Sequence, residues 1–152
     1  MLSKINGVKL YKLKQFHDER GKVMHMLRSD DSHFEKFGEI YFSCSYPNVV
    51  KAWHKHSEMT LNYAVVVGNV KVVLFDDRAG SASYGCLEEY FLSPENYYLL
   101  VVPPGIWNGF KAIGGQMAIL ANCASIAHRK DEIIRLPHDS DQIGYNWDIN
   151  HF

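Results

Sequence analysis

Residues 61–77 read LNYAVVVGNVKVVLFDD, and this stretch is the strongest indicator of the fold class. Two apolar runs rich in valine, residues 61–68 and 70–77, meet at Gly68-Asn69. Valine and aromatic residues favour strands because branched or flat side chains pack well on a pleated surface. A Gly-Asn pair between two such runs is typical of a two-residue hairpin turn. The stretch therefore predicts two β-strands joined as a hairpin.

The same pattern recurs along the chain. Further short runs bounded by turn formers lie at 39–46, 49–56, 88–93, 97–103 and 117–123, and an aromatic strand is expected after Pro103-Pro104-Gly105. Helical patterns are limited to a short helix near 32–37 and a turn or two around 130–135. Seven or more strands without helical crossovers predict an all-β domain, either a sandwich or a barrel.

The composition is that of one packed domain. The 152 residues are 47% hydrophobic and 22% charged, and no repeat or linker divides them, so we expect a single domain over 1–152. With 16 basic and 17 acidic residues the formal net charge is -1, and nucleic acid is therefore not an expected partner. The charged run Lys130-Asp131-Glu132 is expected on a solvated surface.

We expect no membrane partner and a cytoplasmic location. The N-terminus lacks the apolar core of a signal peptide, and no apolar run has the length that a spanning helix needs. The cysteines are Cys44, Cys86 and Cys123. Their odd number and wide spacing match neither a disulfide framework nor a zinc site, so we expect them to be reduced and mostly buried.

The segment KAWHKH, residues 51–56, carries the most informative polar side chains. In an extended strand, residues two apart share one face. Ala52, His54 and His56 are therefore expected on one face, with Trp53 and Lys55 on the other. The alternative is a pair of surface histidines on an edge strand. On the inner face of a small barrel, the same pair supplies two proton-carrying groups to one cavity.

Gly68 follows His56 by twelve residues, and PPGIWNGF, residues 103–110, places a Pro-Gly turn before an aromatic strand. These two features resemble the cupin signature. Where metal-binding cupins carry a glutamate and a further histidine, this sequence has Leu61 and Asn108. Zinc and iron sites need three or four ligands. The resemblance therefore implies a cupin-type β-barrel, a double-stranded jelly roll, with no metal and no cofactor.

Six segments between about Asp18 and Trp147 match a known family. In chain order they are Asp18-Glu19-Arg20-Gly21, Glu39-x-Tyr41-x-Ser43, Lys51-Ala52-Trp53-His54, Asp76-Asp77-Arg78, residues 103–110 and residues 141–147. Over this span the chain resembles the dTDP-4-dehydrorhamnose 3,5-epimerase family. The resemblance implies a nucleotide-sugar epimerase that acts next to the 4-keto group of a dTDP- or other nucleotide-linked deoxyhexose, at C3, C5 or both. It also implies a role in the synthesis of cell-surface glycans.

The resemblance implies roles for individual residues as well. Family members use a histidine to remove a proton beside the ketone, a lysine near the ketone oxygen, and a tyrosine to return a proton from the opposite face. His54 stands at the position of the base, and either Asp139 or Asp141 is expected to orient it. Arg20 and Lys51 stand where basic side chains hold the diphosphate.

The sequence departs from the family pattern in four places. Leu61 stands at the lysine position, His25 at a glutamate and Asn108 at a histidine, and residues 121–129 contain no tyrosine. The replacement donors are Tyr41, Asn62, Tyr63 and His128. Nucleotide-sugar 3,4-ketoisomerases are similar in carrying a His-x-His on this strand, so ketoisomerisation with His56 as second proton carrier stays open. A non-catalytic sugar-nucleotide-binding cupin also stays open.

We expect one open end of the barrel to hold the site. The residues expected to line it are Arg20, Glu39, Tyr41, Lys51, His54, His56, Tyr63 and Asn108. His25, Asn62 and His128 are further candidate substrate contacts. We also expect a homodimer in which the N-terminal segment, about 1–38, can be exchanged between copies, because such an exchange covers exposed strand edges.

Overall fold

The computed structural model describes residues 2–149 of the single domain. Its strands are β1 Lys9–Lys12, β2 Gln15–Asp18, β3 Gly21–Met24, β4 Glu39–Ser45, β5 Val50–His56, β6 Leu61–Val67, β7 Asn69–Asp76, β8 Leu87–Leu92, β9 Tyr98–Val102, β10 Ile106–Ile113, β11 Ala118–Ala124 and β12 Ile133–Arg135. A 3-10 turn, Lys130–Glu132, directly precedes β12. Within the described residues, no helix is long and apolar enough to cross a membrane.

Ten of the strands form two five-stranded antiparallel sheets. The first sheet has the order β1-β9-β6-β11-β4 and the second has the order β12-β5-β10-β7-β8, while β2 and β3 form a separate hairpin. One apolar core joins the sheets, and it contains Leu61 and Val65 of β6 together with Val72 and Leu74 of β7. The all-β expectation is confirmed, and the arrangement is a jelly roll of two facing sheets.

The prediction of a hairpin at Gly68-Asn69 is wrong. β6 pairs with β9 and β11, whereas β7 pairs with β8 and β10, so the chain crosses from one sheet to the other at Gly68. Both valine-rich runs bury their apolar faces in the same core from opposite sides. Gly68 has a φ of 71°, and a Cβ there would lie 2.8 Å from the carbonyl oxygen of Met117, so this corner requires glycine.

The short helix predicted near residues 32–37 does not form. A single turn closes there instead, with the Phe34 N–H donating to the Asp31 carbonyl oxygen at 3.0 Å. The ring of His33 stacks on Tyr11 of β1, with the centroids 3.8 Å apart. This tertiary contact overrides a weak local preference for helix.

The three cysteines are free, as expected, but the prediction that they are mostly buried is wrong. Cys44 is exposed, and Cys86 and Cys123 are partly exposed. Cys44 lies on β4, which is the edge strand of the first sheet. An edge strand has a neighbour on one side only, so its side chains are covered less completely than those of a central strand.

Aromatic side chains cover the outer face of the second sheet. Trp53 of β5 and Trp147 of the C-terminal segment lie with their ring centroids 5.1 Å apart. Both indole N–H groups donate to the carbonyl oxygen of His138 at 3.2 Å. These contacts hold residues 136–149 against β5, and because that segment follows β12 directly, they also fix the position of β12.

Replacing Trp147 tests this anchor. Trp147 is 6% exposed, and we expect Trp147→Ala to lower the free energy of unfolding by about 3–5 kcal/mol because it removes a large buried ring and leaves a cavity. Tyr84→Ala is the control, since Tyr84 is 67% exposed and its loss should cost less than about 0.5 kcal/mol. Urea denaturation measures both. Equal effects would show that the segment does not depend on Trp147.

Candidate active site

A cavity of about 410 Å³ lies between the two sheets. The first sheet contributes side chains from β4, β6 and β11, and the second contributes side chains from β5, β10 and β12. Met59, Phe110 and Leu120 form its apolar surface. Its ionisable side chains are Glu39, Tyr41, Lys51, His54, His56, Tyr63, His128 and Arg135.

Seven of the thirteen predicted site residues line this cavity. They are Glu39, Tyr41, Lys51, His54, His56, Tyr63 and His128. Asn108 lies directly behind them, fully buried, and donates its side-chain N–H to the carbonyl oxygen of His54 at 2.9 Å. The structure therefore brings together the core of the predicted constellation.

Five predicted residues lie elsewhere. Arg20 sits in the turn of the β2–β3 hairpin, exposed and paired with Asp18 at 2.6 Å. His25 packs edge-on against Phe16 in a different cleft, and Asn62 donates its side-chain N–H to the backbone oxygen of Cys123 at 2.8 Å. The other two, Asp139 and Asp141, are exposed and stand outside the cavity lining, because the segment that carries them runs over the outer face of the second sheet.

The alternation expected along β5 is interrupted. β5 and β10 pair in register at His54 and Asn108, but the register shifts before Lys51 and Phe110. Ala52 then packs with Trp53 in the outer aromatic cluster, and Lys51 takes its place in the cavity. The expectation that Ala52 shares the face of His54 and His56 is therefore wrong, and the reason is this irregularity in the ladder.

The carboxylate that contacts a histidine of the cavity is Glu132, and the histidine is His56, not His54, which Asp139 or Asp141 was expected to orient. The Nδ1 atom of His56 lies 2.5 Å from Glu132 Oε1, and both side chains are buried. The other carboxylate oxygen accepts the backbone N–H groups of Glu58 and Met59, each at 3.3 Å. In a neutral imidazole only one ring nitrogen carries a proton, so a proton on Nδ1 that is donated to Glu132 leaves the Nε2 atom of His56 as a hydrogen-bond acceptor.

Sequence reasoning missed both Glu132 and Arg135. The expectation that Glu132 lies on a solvated surface is wrong, since it is 2% exposed. The short apolar run after Glu132 is the sequence feature that could have indicated a strand there. On β12, Ile133 and Arg135 are two residues apart and both line the cavity. A three-residue strand is too short for its period to be recognised in the sequence alone.

Burial and two neighbouring groups govern the charge of His54. Burial, the Arg135 guanidinium and the His56 imidazole together lower the pKa of His54 to about 4. At neutral pH this imidazole is therefore uncharged and able to accept a proton. Lys51 contacts β4 of the first sheet, since its ammonium donates to Ser43 Oγ at 3.0 Å and to the Cys44 carbonyl oxygen at 2.7 Å.

No three His, Cys, Asp or Glu side chains among residues 2–149 converge in the manner of a metal site. His54 and His56 share the cavity, and the Glu132 carboxylate is engaged with Nδ1 of His56. The ionisable groups that face the cavity are imidazoles, phenols, an ammonium, a guanidinium and the carboxyl group of Glu39.

Comparison with known proteins places this geometry in a family. Residues 3–151 match the family model described as dTDP-4-dehydrorhamnose 3,5-epimerase. The chain belongs to that family. Among its relatives is the spore coat polysaccharide biosynthesis protein SpsL of Bacillus subtilis, which is 32% identical over 145 residues, covering 94% of this chain and 96% of SpsL. The probable low-salt glycan biosynthesis epimerase Agl13 of Haloferax volcanii is 32% identical over 147 residues, covering 94% of each chain.

A solved structure agrees with both the family and the fold. The crystal structure of a dTDP sugar isomerase from Desulfovibrio desulfuricans G20 is 46% identical in sequence, with a TM-score of 0.94, covering 97% of this chain and 94% of that chain. The jelly-roll fold and the family implied by the sequence motifs are thus confirmed. The chain is an enzyme of the nucleotide-sugar epimerase class.

The protonation of His54 can be measured in this epimerase. We expect NMR titration of the imidazole to give a pKa of about 4. Arg135→Ala should raise that pKa, because it removes a positive charge that opposes protonation. Arg129→Ala is the matched control, since Arg129 is engaged with Glu58 at 2.8 Å, and it should leave the titration unchanged. A wild-type midpoint near 6.5 would contradict the burial of His54.

Proposed function

We propose that this enzyme inverts carbon atoms next to the 4-keto group of a dTDP-linked 6-deoxyhexose, with His54 as the base. The observation that carries the proposal is the pair of imidazoles, His54 and His56, that β5 directs into the cavity between the sheets. The relatives support the substrate class, since one is named a dTDP sugar isomerase and two are named for polysaccharide or glycan biosynthesis. We therefore also propose a role in the synthesis of cell-surface glycans.

The chemistry requires a neutral base that contacts the sugar. A proton on a carbon beside a ketone is weakly acidic, so an uncharged imidazole must stand next to it while the resulting enolate is stabilised. His54 is uncharged at neutral pH for the reasons given above. His56, oriented by Glu132, presents a second acceptor nitrogen in the same cavity, and we propose that it assists proton transfer.

The cations of the cavity suit a diphosphate. Lys51 and Arg135 line it, and guanidinium and ammonium groups bind phosphate oxygens through charge-assisted hydrogen bonds. The positive charge of Arg135 also lowers the pKa of His54. A bound diphosphate that neutralises Arg135 removes this repulsion, so the pKa of His54 rises and the base becomes stronger once the substrate is in place.

Deuterium uptake tests the base. In deuterated water, wild-type protein with dTDP-4-dehydrorhamnose should incorporate deuterium at C3, C5 or both. His54→Asn should reduce incorporation by about 10²–10⁴-fold, with little change in binding of dTDP, because it removes a general base. Tyr84→Phe, at an exposed residue outside the cavity lining, is the control. NMR or mass spectrometry of the sugar gives the readout.

Three outcomes would contradict this assignment. Loss of uptake in His56→Asn and Glu132→Gln, but not in His54→Asn, would make His56 the base. Label at C3 alone, with the ketone moved from C4, would identify a 3,4-ketoisomerase. Tight binding of dTDP sugars without any exchange above the buffer rate would identify a non-catalytic binding protein.

We further propose that the enzyme is a homodimer and is cytoplasmic. Phe16 and Val23 of the β2–β3 hairpin and Ile40 and Phe42 of the edge strand β4 are more than half exposed, which is typical of a surface that another chain covers. In the structure β1 pairs with β9 of its own chain, so the proposed exchange concerns the hairpin. It would carry Arg20 towards the cavity of a second copy. The three free cysteines support a reducing compartment.

Light scattering tests the dimer. The mass in solution should be twice the 17.4 kDa of one chain. Phe42→Asp should shift the equilibrium towards monomer, because a charge on an apolar interface must lose its water. Phe91→Asp, on the edge strand β8 and 52% exposed, is the matched control. A monomeric wild-type protein at micromolar concentration would contradict the proposal.

A further inference from the structure

Two tyrosines, Tyr41 and Tyr63, line the cavity. Their hydroxyl groups differ in whether they donate or accept a hydrogen bond within the protein. Each phenol oxygen is hydrogen-bonded to the side-chain amide of an asparagine. An amide can present either its oxygen or its nitrogen to such a partner. The backbone contacts on the far side of each asparagine decide which end faces the tyrosine.

Tyr63 donates its O–H to the side chain of Asn108. The Nδ2 atom of Asn108 lies 2.9 Å from the carbonyl oxygen of His54. A carbonyl oxygen only accepts, so the amide nitrogen must point that way. The Oδ1 atom of Asn108 therefore faces Tyr63, whose O–H donates to it at 3.0 Å. Tyr63 is 3% exposed, and its proton is held in this internal bond.

Asn122 has the reverse orientation and leaves the proton of Tyr41 free. The backbone N–H of Asn62 donates to Asn122 Oδ1 at 3.0 Å, which fixes the oxygen on that side. The Nδ2 atom of Asn122 must then donate to the phenol oxygen of Tyr41, at 3.0 Å. Tyr41 is the acceptor in this bond, and no group among residues 2–149 accepts a hydrogen bond from its O–H. The O–H of Tyr41 is available to a ligand in the cavity.

The position of Tyr41 suits transfer of that proton to a sugar. Tyr41 belongs to β4 in the first sheet, whereas His54 and His56 belong to β5 in the second sheet, so a ligand in the cavity lies between them. Burial raises the pKa of Tyr41 despite the opposing hydrogen bond from Asn122, and the phenol therefore keeps its proton at neutral pH. Tyr41 is 39% exposed, so water can restore a proton that it has given up.

We propose that Tyr41 is the catalytic acid that protonates the ring carbon on the face opposite the histidines. This assignment rests on the proposed epimerase function. The base takes the proton from the carbon, and the C–H electron pair forms the enolate. The enolate carbon then forms a new bond to the Tyr41 proton on the other face, which inverts the carbon and leaves a tyrosinate. Water returns a proton to Tyr41, and the imidazolium releases one, so the reaction is balanced.

Tyr41→Phe separates exchange from inversion. In deuterated water the wild-type enzyme should exchange the label and invert dTDP-4-dehydrorhamnose. Tyr41→Phe should still incorporate deuterium from the side of the base, with retained configuration, while the rate of inversion falls by about 10²–10³-fold. Tyr63→Phe should slow inversion far less than Tyr41→Phe does, because the O–H of Tyr63 is bonded to Asn108 and is not offered to the ligand. Tyr46→Phe, at a residue that is 75% exposed, is the control for loss of a phenol.

The outcomes distinguish this inference from the function on which it rests. Inversion by Tyr41→Phe at the wild-type rate would overturn the role of Tyr41 and leave the epimerase intact. Loss of inversion in Tyr63→Phe with retention in Tyr41→Phe would transfer the role to Tyr63. A wild-type protein that neither exchanges nor inverts would overturn the proposed function itself. Unchanged thermal unfolding and dTDP binding in Tyr41→Phe would show that lost inversion is not a folding defect.

Discussion

The close approach of β5 to β10 at Ala52 and Gly109 is the constraint on which the cavity depends. A Cβ on Gly109 would lie 2.4 Å from the Cβ of Ala52, so only glycine allows the two strands to meet there. The ladder register shifts at this point. As a result Trp53 packs outwards into the aromatic cluster, while Lys51 and His54, three residues apart, both face inwards. One packing contact thereby sets which side chains the second sheet presents to a ligand.

A buried charge then links this wall to the C-terminal part of the chain. The Glu132 carboxylate is almost fully removed from water, and an unpaired charge in such a place is strongly destabilising. His56 and the backbone N–H groups of Glu58 and Met59 provide its partners. The same bonds fix the tautomer of His56 and hold β12 beside β5, which brings Arg135 to the cavity. Stability and the arrangement of proton carriers therefore have a common origin.

Two buried asparagines orient the tyrosine hydroxyl groups of the cavity. Asn108 and Asn122 are both fully buried, and backbone groups fix their amides in opposite orientations. A buried amide must satisfy its hydrogen bonds, so each asparagine determines whether its tyrosine donates or accepts. These hydrogen bonds make Tyr63 part of the scaffold and leave the O–H of Tyr41 able to act on a ligand.

The sequence alone determined the all-β class, seven strand positions to within one residue, and the family. Valine-rich runs and turn formers carry that information locally, and motifs such as Lys51-Ala52-Trp53-His54 carry the resemblance. It placed Glu39, Tyr41, Lys51 and the two histidines in one site because strand alternation and motif order are properties of the chain itself. Only the tertiary structure decided that Gly68 joins different sheets, that Ala52 turns away from the cavity, and that Glu132 contacts His56 while Asp139 and Asp141 stay outside the cavity lining. Those features depend on contacts between residues distant in sequence, such as the 76 positions between His56 and Glu132, and no local pattern encodes which buried charge will find which partner.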